Sequence, residues 1–145
     1  MTSNYLVFSL IGRLYGARLL GAIEILPWMT CRRIPLTYSY IEGVIDYRGT
    51  IYPIFNTKKK FGLMTSSPAA APEDPGSAQS IILLSENKIP FGITVDGVAR
   101  MASMEEVPAV PGKKYGIDSR SIKGIAYEDD REIIILNFER LFYAD

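Results

Sequence analysis

Residues 40–63 read Tyr40-Ile41-Glu42-Gly43-Val44-Ile45-Asp46-Tyr47-Arg48-Gly49-Thr50-Ile51-Tyr52-Pro53-Ile54-Phe55-Asn56-Thr57-Lys58-Lys59-Lys60-Phe61-Gly62-Leu63. Val44, Asp46, Thr50, Tyr52 and Ile54 alternate as strand residues do, and Arg48-Gly49 punctuates them as a tight turn. The second strand then runs into a short basic helical turn. A single arginine at the turn of so apolar a segment has two readings. It is a solvated turn charge, or it is a contact offered to a partner.

Working outward, Tyr5–Ile11 reads as a buried opening strand that turns at Gly12-Arg13 into a hairpin partner, Tyr15–Leu20. Ala22–Leu26 is a further apolar segment carrying one charge, Glu24. Pro27 has no backbone donor and should interrupt that ladder. Trp28–Ile34 is expected as a short strand and Pro35–Ser39 as a loop; Trp28 reads either as a core plug or as an exposed anchor. Downstream, Ser80–Ser85 and Ile89–Val95 pair across Glu86-Asn87-Lys88, and Asp96-Gly97 bends the chain into Val98–Ala102. Met104–Tyr115 is a long loop. A last hairpin, Ser121–Tyr127 with Glu132–Asn137, turns at Glu128-Asp129-Asp130-Arg131, and Phe138–Tyr143 is a short terminal helix capped by Asn137. Met64–Ala78 holds three prolines among small residues, too little apolar surface to offset ordering entropy, and is expected as a mobile connection between two halves.

The halves echo each other. Gly43 to Asn56 spans thirteen steps, as does Gly124 to Asn137, each running glycine, apolar strand, polar turn, apolar strand, asparagine, short amphipathic helix. Phe8 through Tyr15-Gly16 mirrors Leu84 through Phe91-Gly92 at a shift of 76 rather than 81 residues. The pattern is that of a quasi-duplicated β architecture.

Composition narrows the function. The 145 residues suffice for one domain with a real core, or two small lobes sharing one. Sixteen basic residues balance sixteen acidic ones, so no global field draws the chain to nucleic acid or anionic lipid. One cysteine, Cys31, allows no internal disulfide. No basic-then-apolar leader pattern opens the sequence and no apolar run approaches the roughly 20 residues that span a bilayer, so a cytoplasmic home without membrane insertion is expected. The chain has no histidine, the commonest general base and metal ligand. Glu105-Glu106 diverge on any regular backbone, Glu128-Asp129-Asp130 suit a solvated turn, and Cys31 lacks an activating partner. The glycines match neither a phosphate loop nor a dinucleotide fingerprint. Lys58-Lys59-Lys60 reads as a solvated helix edge, without the aromatic interleaving that single-strand binding wants. The reading is non-enzymatic, with no metal and no cofactor.

Tyr40 through Ile54, followed by Lys59-Lys60-Phe61-Gly62-Leu63, resembles the signature of the CheW family of bacterial chemotaxis coupling proteins, which usually reads Gly-Val-Ile-Asn-Leu-Arg-Gly-x-Ile-x-Pro-Val, then Asp-Leu-Arg and Phe-Gly. Tyr15-Gly16, Glu24-Ile25, Phe91-Gly92, Val95-Asp96-Gly97-Val98 and Gly124 through Leu141 extend the likeness along almost the whole chain.

The resemblance implies a mainly β fold of two small five-stranded barrels, similar to SH3 barrels, over a shared apolar core, with a short C-terminal helix, in one CheW-like domain. It also implies an adaptor tying the cytoplasmic tip of methyl-accepting chemoreceptors to a CheA-type histidine kinase through the kinase's own CheW-like domain. The family's receptor-facing positions fall on Ala22, Glu24 and Arg48, with Gly43 and Gly49 shaping the turn. Its kinase-facing apolar patch of the first barrel falls near Ile34, Pro35 and Ile41. Two departures stand out. Asp46-Tyr47 replaces the usual Asn-Leu, placing an acid that can pair with Arg48 and making Asp46 a candidate for partner specificity. Asn56-Thr57-Lys58 replaces Asp-Leu-Arg. The alternatives are a CheW-like adaptor wired to surface motility or another regulatory kinase, and a small-molecule or oligonucleotide-binding barrel.

Overall fold

The computed structural model describes residues 2–18, 24–35, 37–63, 80–86 and 88–142. Its strands are β1 (Ser3–Leu10), β2 (Arg13–Arg18), β3 (Glu24–Pro27), β4 (Ile41–Tyr47), β5 (Thr50–Phe55), β6 (Ser80–Glu86), β7 (Ile89–Val95), β8 (Gly97–Met104), β9 (Glu106–Val107), β10 (Ile122–Glu128) and β11 (Arg131–Leu136), with one helical turn, α1 (Thr57–Lys60).

The run Tyr5-Leu6-Val7-Phe8 has no polar face, and the fold gives it two apolar ones. Tyr5 and Val7 of β1 join Met104, Ala126, Ile133 and Ile135, whereas Leu6, Phe8 and Leu10 join a different cluster with Phe55, Ile82, Phe91, Ile93, Ile134 and Leu136. β6 divides the same way: Ile81 and Leu83 face Leu26, Cys31, Ile45 and Ile54, while Ile82 and Leu84 enter the cluster that holds Leu6 and Phe8. Strands covered on both sides require continuous hydrophobic sequence rather than alternation. The outcome is three cores, one inside each curled sheet and one between them. Each fully buried Leu, Ile or Phe contributes about 1.5–3 kcal/mol.

Sheet order explains the echo between the halves. The six-stranded sheet runs β8-β1-β2-β11-β10-β9 and the five-stranded sheet β3-β6-β7-β5-β4. In each, two antiparallel hairpins meet through one short parallel pair, Ile135 opposite Gly16 in the first and Ile54 opposite Gly92 in the second. Those partners are the residues related by the 81- and 76-residue shifts. The glycines are there for space: a Cβ on Gly16 would lie 2.8 Å from the Ile135 side chain, and one on Gly92 2.5 Å from that of Ile54. Even a small contact repeats, since Asn56 N–H donates to the Tyr40 carbonyl and Asn137 N–H to that of Ser121. The mainly β, two-lobed fold expected from the sequence is the one observed, with the two-residue β9 as a sixth strand in one lobe.

Three local expectations need correction. Trp28–Ile34 does not form a strand; it is irregular and touches the sheet through a single bridge, Arg32 to Val44. Pro27 does not break its ladder but closes it, as the last residue of β3 opposite Ser80, on a sheet edge where a missing donor costs least. The first turn is Ile11-Gly12, both at positive φ, with Arg13 already paired to Leu10. The expected short terminal helix is present, as a 3₁₀ helix over Phe138–Phe142, and Asn137 caps it by accepting from Glu139 N–H at 3.2 Å.

The expected mobile stretch at 64–78 lies outside the described residues. The elements on either side of it, α1 and β6, both lie in or against the five-stranded sheet. The described crossing between sheets is at Asp96. There the Asp96 N–H donates to the Ser9 carbonyl, and its carboxylate accepts from Ile11 N–H at 2.6 Å and meets Lys58 Nζ at 2.9 Å.

Candidate functional site

The β4–β5 hairpin closes through two residues, Arg48 and Gly49, at φ +51° and +82°. Positive φ at both positions matches the right-handed twist of the flanking strands. The first of them is not glycine, and the left-handed conformation costs such a residue about 1–2 kcal/mol. Asp46 offsets part of this, because its carboxylate accepts from Gly49 N–H at 3.2 Å and ties the turn from the inside. Asp46 is therefore engaged with the backbone, and the acid facing Arg48 is Glu24, whose Oε1 lies 3.9 Å from Nη1. This corrects the expectation that Asp46 pairs with Arg48.

Glu24 opens β3 and Arg48 tips β4, and these strands are the two edges of the five-stranded sheet. The sheet curls far enough to bring its edges together at this pair. Both groups remain open to solvent, with side-chain exposures of 77% for Arg48 and 47% for Glu24, so the bridge contributes at most about 1 kcal/mol. The Arg48 guanidinium also lies 5.1 Å over the Tyr47 ring, a neighbour that sequence reading passed over. Its signal was available as the tyrosine standing where the resembled pattern has leucine. Ile25 and Ile51 are exposed on β3 and β5, and Ala22 lies outside the described residues.

Ile34, Pro35 and Ile41, expected together, do line one shallow groove of about 300 Å³, with Arg33, Tyr38 and Glu42. Its shape depends on Gly43, which sits inside β4 at a register shift rather than in the turn. At φ +148° and with the Arg32 carbonyl packed against its Cα, this position has no room for a side chain. Arg32 and Val44 then exchange two backbone hydrogen bonds, of 3.0 and 2.8 Å, which pin the irregular 28–40 segment against β4. Tyr38 stacks on Tyr40 with ring centres 5.2 Å apart and forms one wall. Trp28 is half-buried against the core of this lobe.

The lysine run is not a solvated edge. Lys59 is exposed, but Lys58 and Lys60 are buried: Lys58 reaches Asp96, and Lys60 Nζ lies 4.5 Å over the Tyr40 ring. Their aliphatic stems cover apolar surface while their charges find partners. Burial, with Glu42 adding to it, pushes the Cys31 thiol up to about 11, which leaves it protonated and unreactive at neutral pH. Among the described residues no group of three or more Asp, Glu, His or Cys is placed to hold a metal ion.

The other lobe carries the same construction with its charges exchanged. Glu24 lies opposite Leu83 and Arg100 opposite Val7, and Leu83 and Val7 are partners under the 76-residue shift. Arg48 corresponds in turn to Asp129, under the shift of 81. There Arg100 is the strand residue and it pairs through both terminal nitrogens with Glu128, beside Asp129-Asp130 at positive φ. This pairing and its neighbour Asp129 hold the Arg100 pKa above its ordinary value.

Comparison with known proteins fits this architecture. The "Chemotaxis protein CheW" of Treponema pallidum is 31% identical over 137 residues, covering 93% of this chain and 79% of that protein. That of Klebsiella aerogenes is 27% identical over 144 residues, covering 98% and 82%. The crystal structure of the scaffolding protein TtCheW from Thermoanaerobacter tengcongensis superposes with a TM-score of 0.81 at 30% identity, over 100% of this chain and 90% of that one. The CheW-like domain model matches residues 4–145, and the chain belongs to the CheW-like family.

Proposed function

We propose that this chain is a non-enzymatic cytoplasmic adaptor of chemotaxis, coupling the cytoplasmic tip of methyl-accepting chemoreceptors to a CheA-type histidine kinase, and that it works as one CheW-like unit. The observation that carries the reading is the Glu24–Arg48 pair: an exposed arginine on a left-handed turn, opposed by an acid from the far sheet edge and lying over the Tyr47 ring. A planar guanidinium with an apolar surround suits recognition of a protein surface. In this reading Ala22, Glu24 and Arg48 face the receptor, Gly43 and Gly49 keep the backbone in shape, and Asp46 acts through the turn it ties. The groove at Ile34, Pro35 and Ile41 receives the kinase's CheW-like domain.

Family membership supports the adaptor reading, as does a structure built for rigidity. A scaffold relays signals by holding partners in register, and a core shared by two sheets resists relative movement. No helix among the described residues is long and apolar enough to cross a membrane. The test is a pull-down with receptor cytoplasmic fragments: Arg48→Glu loses receptor binding with an unchanged circular-dichroism spectrum and retains kinase binding. Undiminished receptor capture by Arg48→Glu would refute the assignment of the receptor face.

A further inference from the structure

Arg48 is exposed and yet held from three sides. Its backbone is fixed at φ +51° in a turn tied by Asp46, its guanidinium lies 5.1 Å over the Tyr47 ring, and Glu24 stands 3.9 Å away on the other side. An arginine serving only as a turn charge needs none of this. An arginine already oriented, by contrast, gives up less side-chain freedom when a partner docks. We propose that Tyr47 is a positioning residue for Arg48, its ring carrying the guanidinium in the orientation that meets a carboxylate on the partner. This rests on the reading of Arg48 as a docking residue.

The partner's chemistry follows from the surroundings. Glu24 marks where an anion sits against the guanidinium in the free protein, and a partner carboxylate takes over that contact. Tyr47 is the apolar surface that the structure places against the guanidinium, its ring lying under it. Tyr47 itself is half-buried against the cluster that forms this lobe's core, so its ring is a fixed platform. Phenylalanine in its place keeps the platform; leucine, the residue of the resembled pattern, removes it.

The experiment compares Tyr47→Leu, Tyr47→Phe and Arg48→Ala with the parent protein by titration against a receptor cytoplasmic fragment, and reads the Arg48 side-chain NMR resonances without any partner. Ring currents should shift the Arg48 Cδ protons upfield in the parent and in Tyr47→Phe, with the shift lost in Tyr47→Leu. Tyr47→Leu should bind about two- to five-fold more weakly, the range of an exposed cation–π contact, with Tyr47→Phe restored to the parent value. Arg48→Ala should bind more weakly than either. Weak binding by Arg48→Ala together with parent-like binding by Tyr47→Leu overturns the role of Tyr47 and leaves the docking surface standing. Parent-like binding by Arg48→Ala overturns the docking reading and the role of Tyr47 with it. Absence of the ring-current shift in the parent protein overturns the platform directly.

Discussion

Gly43 and Gly49 sit on one hairpin, six residues apart, both at positive φ, and substitution by alanine should separate what each glycine does. At Gly49 an added Cβ meets nothing within 4 Å, so Gly49→Ala carries only the cost of a left-handed alanine, about 1–2 kcal/mol. At Gly43 φ is +148°, a region nearly reserved for glycine, at about 1–3 kcal/mol. There the Cβ would also lie 2.8 Å from the Arg32 carbonyl carbon, closer still to its oxygen, and 3.0 Å from Cys31 Cβ. Backbone cannot swing aside as a flexible side chain does. Relief comes only by lifting Arg32 off β4 and losing the two Arg32–Val44 hydrogen bonds, each about 0.5–1.5 kcal/mol.

The sum is about 2–6 kcal/mol against a total stability of about 5–15 kcal/mol for such a domain. At about 2–4 °C per kcal/mol, the melting temperature of Gly43→Ala should fall by roughly 10 °C, and that of Gly49→Ala by a few degrees. Urea unfolding followed by fluorescence of Trp28, the single tryptophan, reports on the affected lobe. Hydrogen exchange should show the Arg32 and Val44 amides losing protection in Gly43→Ala and keeping it in Gly49→Ala. Equal destabilisation by the two substitutions would refute the reasoning, because it would mean that conformation alone, and not the Arg32 carbonyl, requires glycine at position 43.

Other perturbations test the rest of the structure. Arg48→Glu should abolish receptor capture without unfolding the chain, and Tyr47→Leu should weaken it a few-fold with rescue by phenylalanine. Lys58→Met should cost about 3–5 kcal/mol in urea denaturation, because it leaves the Asp96 carboxylate without its cation at a site only 9% and 21% exposed. Lys58→Met combined with Asp96→Asn should be less destabilised than the sum of the single changes; strict additivity would mean that the pair does not interact. For Cys31 the folded thiol titrates at about 11 against an ordinary 9.0, so the unfolded chain releases its proton first as pH rises. This contribution is whole below pH 9 and is lost between pH 9 and about 11, up to roughly 2–3 kcal/mol at 1.36 kcal/mol per unit. Cys31→Ala should flatten the stability profile across that window, and an unchanged slope would count against burial of the thiol.

The sequence made the architecture readable wherever side-chain pattern and backbone geometry are set by the same residues. Tyr5–Phe8 and Ile133–Leu136 are apolar on both faces because both faces are buried, and the spacing of Gly16 and Gly92 from their isoleucine partners follows from a repeated parallel contact. What stayed hidden depends on residues distant in sequence. Lys58 and Lys60 look solvated in a run of three lysines, but Asp96, brought up by the β7–β8 crossing, and Tyr40 help to offset the cost of burying them. Asp46 and Arg48 suggest a pair by proximity in the chain, but an Asx-type bond to the Gly49 N–H, one residue further on, claims the carboxylate. The partner that Arg48 does meet, Glu24, is 24 residues away and arrives only because the sheet curls edge to edge.

That curl bears on how a duplicated fold can serve as an adaptor. Two lobes of like construction would, with like surfaces, recognise the same thing twice. Here equivalent positions carry opposite charges: acid on the edge strand and arginine at the hairpin tip in one lobe, arginine on the edge strand and acids at the tip in the other. The backbone frame is the same in both, including the two-residue turn at positive φ, so the electrostatic reversal resides in side chains alone. Like-charge juxtaposition at a docking surface costs several kcal/mol, enough to exclude a wrong partner. A partner fitted to the Arg48 tip therefore meets repulsion at the Asp129-Asp130 tip. The shared core keeps the two tips at a fixed separation, as the proposed coupling role requires.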